Sequence, residues 1–199
     1  MHLLRLLPGV LLVASLVLTS AGCEKKHRSE RELEYQRIAD RIRLKQLKDF
    51  AQLIERFHAA NGHYPLTKRE GQQLPVEVAI SRQPHEGPEP NASVEDLERE
   101  LSEGLGEKIA LERDPQVHDL EGYRQYHYTS DGKSYEVYAH LYHATPETEP
   151  IDEVTQRYRL KPGDGRAEKI PAWDDEDREF MRAMDEIRAR DAAKAAKKK

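Results

Sequence analysis

The stretch that most constrains the fold is Gly122 to His143, GYRQYHYTSDGKSYEVYAHLYH. Two β-prone runs flank Asp131-Gly132, a pair that favours a two-residue hairpin turn. With that pair as the loop, Ser130 faces Lys133, Tyr128 faces Tyr135, Tyr126 faces Val137 and Arg124 faces Ala139. Type I′ geometry then asks for positive φ at both Asp131 and Gly132. Side chains alternate between the two faces of a strand. One face therefore gathers Tyr126, Tyr128, Tyr135, Val137, Ala139 and Leu141, the expected core side. The other carries His127 opposite Glu136 as an exposed charge pair, Gln125 opposite Tyr138, and Tyr123 opposite His140. Six of the chain's nine tyrosines lie in this stretch, so the core is expected to be built of tyrosine rings more than aliphatic bulk.

Other segments supply the partners of this hairpin. From about Leu33 to Ala60, Ile38, Ile42, Leu47, Phe50, Ile54 and Phe57 recur at helical intervals, with Ala51 and Leu53 widening the stripe. Charges are expected to fill the opposite face. Asn61-Gly62 stops this helix and Pro65 prevents its resumption. Within the Pro-, Gly- and Gln-rich stretch that follows, PVEVAIS alternates Val76, Val78 and Ile80 as a short strand. Ser93 caps a second helix, with Asp96 at its third position, Val94, Leu97 and Leu101 on one face, and Gly104 as the expected stop. VTQRYRL puts Val154, Tyr158 and Leu160 on one face as a further strand, which KPGDG ends. The pattern is α+β: a long N-terminal helix packed on a small antiparallel sheet, with a C-terminal helix added.

That last helix begins at Asp174, whose side chain can cap it, and its acidic first turn suits the helix dipole. Phe180, Met181, Met184 and Ile187 make a narrow stripe, and the tail AAKAAKKK is basic and of low complexity. Pro162, Gly163, Gly165 and Pro171 separate the helix from the sheet, so residues 162–173 read as a linker. Methionine suits an adaptable surface, and a lone helix of this length is marginal in water. Residues 174–199 are therefore expected to order only against a partner.

The N-terminus tells where such a chain lives. Arg5 precedes an apolar run from Leu6 to Leu18, and small residues follow, in the order of an export signal. The run is short for a membrane-spanning helix, which needs ~20 residues. Ser20-Ala21-Gly22-Cys23 resembles a bacterial lipobox, in which cleavage precedes a cysteine that carries lipid; Leu is usual where Ser20 stands. Cys23 is the chain's one cysteine and has no intrachain partner, so acylation gives it a role. The resemblance implies residues 1–22 as signal peptide, residues 23–32 as a charged tether, and a membrane anchor through Cys23. Glu24 is not the Asp that retains such proteins at the inner membrane, which favours the outer membrane, with the domain in the periplasm or at the cell surface.

Composition sets bounds on the rest. Without residues 1–22, Arg5 is lost, leaving 31 basic against 37 acidic residues, a balance that speaks against general nucleic-acid binding. Leu, Ile, Val and Phe number 30 of the remaining 177, which points to one small core flanked by solvated segments.

The order of motifs also resembles the soluble part of type IV pilin-like proteins, above all the major pseudopilin of type II secretion. The resemblance rests on a helix ending in FHAANGHYP, on Asp114-Pro115, and on the tyrosine-rich hairpin YHYTSDGKSYEVYA. It covers roughly residues 44–142 and implies a pilin-like domain over residues 33–161, with secretion or pilus components as partners. The apolar stem and the stem glutamate of that family are missing here. Asp152, Glu153 and Asp164 do not align with the family's calcium ligands, so no metal is carried over.

The sequence offers no catalytic constellation, and no cofactor is expected. His140 and His143 read as HxxH, but residues three apart on a strand face opposite sides and do not share an ion. Asp174 to Asp177 reads as a solvated helix start. Two functions are open: docking of other envelope proteins, or a small ligand or glycan on the outer sheet face at Tyr123, Tyr138, His140 and Tyr142. Phe180, Met181, Met184 and Ile187 are the candidate partner helix.

Overall fold

A computed structural model describes residues 30–81, 90–113, 125–153 and 155–197. The signal segment, Cys23, Asp114-Pro115, Tyr123 and Val154 lie outside the described residues.

The hairpin forms two residues out of the expected register. Strands β2 (Gln125–Ser130) and β3 (Tyr135–Leu141) pair antiparallel with Ser130 opposite Tyr135, Tyr128 opposite Val137 and Tyr126 opposite Ala139. The connection is a four-residue loop, 131–134, closed by side chains. Asp131 accepts the backbone N–H groups of Lys133 at 2.9 Å and Ser134 at 2.8 Å. Ser130 Oγ accepts the Gly132 N–H at 3.1 Å and donates to the Ser134 carbonyl at 2.7 Å. Gly132 has φ +85°, while among the described residues Leu66 is the one non-glycine with positive φ, so Asp131 does not adopt the type I′ conformation. An aspartate that can satisfy two amides from its own side chain favours the longer turn. A slip of two keeps every side chain on its face. All six expected core residues, Tyr126 to Leu141 in alternation, are buried.

The pairs on the outer face do change. His127 faces Tyr138, and the expected His127–Glu136 charge pair is absent. Glu136 instead meets Arg159 at 3.3 Å and Lys161 at 3.2 Å.

The sheet has five antiparallel strands in the order β1-β2-β3-β5-β4. Strand β1 (Val76–Ser81) buries Val76, Val78 and Ile80 as expected. Strand β5 (Gln156–Leu160) buries Tyr158 and Leu160 and extends the sheet beside β3. Strand β4 (Glu149–Pro150) is a two-residue edge that the sequence pattern does not announce.

Helix α1 (Glu30–Asn61) lays Leu47, Phe50, Ala51, Ile54 and Phe57 into the core against the sheet. It ends where expected: Gly62 has φ +70° and its N–H returns to the His58 carbonyl at 2.8 Å. Helix α2 (Val94–Leu105) starts at Ser93, whose Oγ accepts the Asp96 N–H at 3.1 Å. Leu97 and Leu101 are fully buried. Gly104 is not its stop, because the helix runs on to Leu105 and Gly106 takes the left-handed cap at φ +67°. Gly104 is where α2 touches α1: a Cβ there would overlap the Phe57 ring. Two of the core tyrosines pair their hydroxyls within the fold, Tyr128 donating to the Pro65 carbonyl at 2.9 Å and Tyr126 to Gln46 Oε1. Burial pushes the Tyr158 hydroxyl up to about 12 and raises those of Tyr128 and Tyr135.

The segment read as a linker is held along α1. It contains the short helix α3 (Arg166–Lys169), then Ile170, which is 5% exposed and part of the core. Lys48 Nζ donates to the Ile170 carbonyl at 2.9 Å and Trp173 Nε1 to Asp49 at 2.7 Å. Helix α4 (Asp175–Ala196) follows. Asp174 and Asp177 cap its start reciprocally, each carboxylate accepting the other's N–H, at 2.9 and 3.3 Å.

Candidate functional site

The outer face of the sheet, expected as a partner or glycan surface, is filled largely by its own side chains. The His127 ring stacks on Tyr138 with centroids 4.3 Å apart and planes 7° from parallel. Arg157 places its guanidinium 5.0 Å from the same Tyr138 ring centre. His140 is 8% exposed and packs 5.6 Å from both His127 and Tyr138. Tyr142 is half-buried, with the Arg43 guanidinium 4.9 Å from its ring centre. His143 turns away from His140 and sets Nδ1 2.9 Å from Asp40 Oδ2. No cluster of three or more His, Cys, Asp or Glu side chains fit for a metal occurs among the described residues.

Asp40 shows why part of the polar side of α1 is not solvated. Its carboxylate accepts the backbone N–H groups of Tyr142 at 3.0 Å and His143 at 2.9 Å and meets Arg43 at 3.0 Å. It thereby fixes the chain as it leaves β3. Asp40, Arg43 and Lys45 are only 7%, 2% and 1% exposed. One sequence signal could have found Lys45 and Gln46. The apolar stripe takes a five-residue step from Ile42 to Leu47, and these two polar residues sit in the gap.

The candidate partner helix, expected to order only against a partner, is drawn against α1 at its first turn. Asp177 is fully buried, paired with Lys45 Nζ and with Arg41 Nε at 2.7 Å. Lys45 also lies 3.6 Å from Asp174, and Arg41 reaches Glu176 at 3.3 Å. Phe180 meets Tyr35 at a ring distance of 6.4 Å. Met181 and Met184 are half-buried, while Ile187 is 41% exposed. An acidic first turn looks solvated in a sequence, because the cation that buries it comes from more than a hundred residues earlier.

Where α4 leaves α1, a groove of about 740 Å³ opens between the two helices. Its walls include Phe50 and Leu53 of α1, Met181 of α4, Leu111, Ile80 at the end of β1 and Tyr126 of β2. Gln46 also lines it and is 5% exposed. Its Oε1 accepts the Tyr126 hydroxyl, and its Nε2 has no hydrogen-bond partner. Charged side chains from α1, α4 and the 110–112 segment stand around it. Residues 110–112 belong to no periodic element, so the groove leaves no signature in the sequence.

No family model, curated protein or solved structure matches this chain. Among the described residues, no helix is long and apolar enough to cross a membrane.

Proposed function

We propose that the chain is a lipid-anchored protein of the bacterial cell envelope whose α+β body docks other envelope proteins without catalysis, as a pilin-like module associated with secretion or pilus machinery. One observation carries this reading. Cys23 precedes Glu30 by seven residues, and from Glu30 a single helix runs unbroken into the core, contributing Leu47 to Phe57. At ~1.5 Å per residue such a helix is a rigid stem. An acyl group on Cys23 would hold the body by its own central helix, where a pilin uses an apolar stem. Two or three acyl chains suffice for stable anchorage where one is marginal. The long helix on an antiparallel sheet supports the pilin-like reading at the level of fold class. Protein docking is favoured over a glycan on the outer face because His127 and Arg157 already occupy the Tyr138 ring.

The test is metabolic labelling with a fatty-acid probe followed by membrane fractionation. The wild-type chain is expected to take label and sediment with outer membranes, and Cys23→Ser to accumulate unlabelled at precursor size. Equal labelling of the two removes the anchor from the proposal. Pull-down from intact membranes should then recover secretion or pilus components, and a chain captured without them sinks that assignment.

A further inference from the structure

The groove between α1 and α4 asks for a ligand of particular chemistry. Its volume of about 740 Å³ falls within the range of small-molecule pockets, ~300–1,000 Å³. Phe50, Leu53, Ile80, Leu111 and Met181 give it apolar walls. Gln46 is the polar group among them, and it is 95% buried by its exposure of 5%. The Tyr126 hydroxyl holds its oxygen, which leaves Nε2 as a donor without a partner. Buried donors are rarely left unpaired, so Gln46 Nε2 is available to donate to an acceptor such as a carbonyl.

The rim adds two charges of opposite sign. Arg182 and Glu112 both line the groove, and both are exposed. Neither makes an ion pair or hydrogen bond among the described residues. The other charged groups there are committed: Arg56 to Glu107 at 2.6 Å, Arg178 to Asp175 at 3.1 Å, and Asp49 to the Trp173 indole at 2.7 Å. Asp185 also has its own interactions.

We propose that this groove binds a short apolar peptide with free termini. Its side chains fill the walls and a backbone carbonyl accepts from Gln46 Nε2. Its carboxylate meets Arg182 and its amino group meets Glu112. A fatty acid would satisfy Arg182 and leave Glu112 unmatched, and a neutral apolar ligand would satisfy neither.

Trp173 is the chain's one tryptophan and lies in the groove lining, so its fluorescence reports occupancy directly. The full chain is titrated with trileucine bearing free termini, with N-acetyl-trileucine amide, and with decanoate. Free trileucine is expected to shift Trp173 emission saturably, and the blocked peptide, which loses both charged ends, and decanoate, which lacks the amino group, to bind at least about tenfold more weakly. Arg182→Ala, an exposed change, should weaken free trileucine by a similar factor and leave the blocked peptide unaffected. Gln46→Leu should weaken both peptides. No saturable shift with free trileucine overturns the proposal. So does equal affinity for the blocked peptide or decanoate, or unchanged affinity in Arg182→Ala.

Discussion

Lys45 of α1 and Asp177 of α4 form an ion pair in which both side chains are shut off from solvent, at 1% and 0% exposure. Two buried charges so placed need each other. Removing one partner of such a pair costs ~3–5 kcal/mol, because the other charge stays buried and uncompensated. Asp177→Asn is expected to destabilise the body by about that range, discounted for the nearby Arg41 and Asp174. Replacing both, as Lys45→Met with Asp177→Leu, should recover most of the loss. Urea midpoints for the three variants measure this, and a single variant at the wild-type midpoint would mean that α4 is not seated on α1.

Truncation gives an independent reading of the same contact. Ending the chain after Trp173 removes Asp177 and strands Lys45. The shortened protein should melt below the full chain. Hydrogen exchange in the full chain should show protection across the first turns of α4 that fades towards Ile187, which is already 41% exposed. Uniformly fast exchange from Asp175 onward would restore the picture of a helix awaiting a partner.

The loop 131–134 predicts a pair of effects. Gly132→Val forces a β-branched residue into φ +85° and should cost ~1–3 kcal/mol. Asp131→Ala removes the acceptor of two backbone amides and should lower the thermal midpoint. A two-residue turn would feel the glycine change but not the loss of these amide bonds. A neutral Asp131→Ala in thermal denaturation would therefore argue for the shorter loop.

That loop also shows what the sequence carried and what it did not. Alternation identified the buried face of β2 and β3 correctly, because burial depends on parity and a slip of two preserves it. Register depends on a few turn hydrogen bonds, and Asp131 and Ser130 can serve two turn lengths equally well on paper. The apolar stripe of α1, the cap at Ser93 and the strands β1 and β5 were legible for the same local reason. The burial of Asp40, Lys45 and Asp177 was not, since each depends on a partner remote in sequence. The groove beside Gln46 needed several such remote elements at once.

Asp96 gives a pH dependence with a definite sign. Hydrogen bonds from Arg69, and then from Arg99, hold its carboxyl well below the usual range, at about 2. Its pKa is lowered on folding, so its contribution is fully present above the unfolded value of ~3.9 and is lost as pH falls through about 2. Asp96→Asn should thus be less stable than wild type at pH 7. The gap should narrow between pH 4 and pH 2 in urea titrations. A gap that stays constant down to pH 2 would remove these arginines as the cause.

Gly104 separates two readings by the sign of one measurement. As a helix stop, or an idle glycine inside α2, it would gain from Gly104→Ala, because alanine is better than glycine in a helix interior by ~1 kcal/mol. The structure gives it another task. A Cβ at 104 would overlap the Phe57 ring and crowd the Asn61 side chain, which itself donates to the Gly104 carbonyl at 3.2 Å. Phe57 is 1% exposed and held in the core, so its ring has little room to yield. Overpacking of this kind costs ~1–3 kcal/mol, which outweighs the gain in helix propensity. Gly104→Ala is therefore expected to lower the urea midpoint, and Gly104→Ala with Phe57→Leu to recover part of the loss by making space. A higher midpoint for the single variant would show that α1 and α2 do not approach as closely as described.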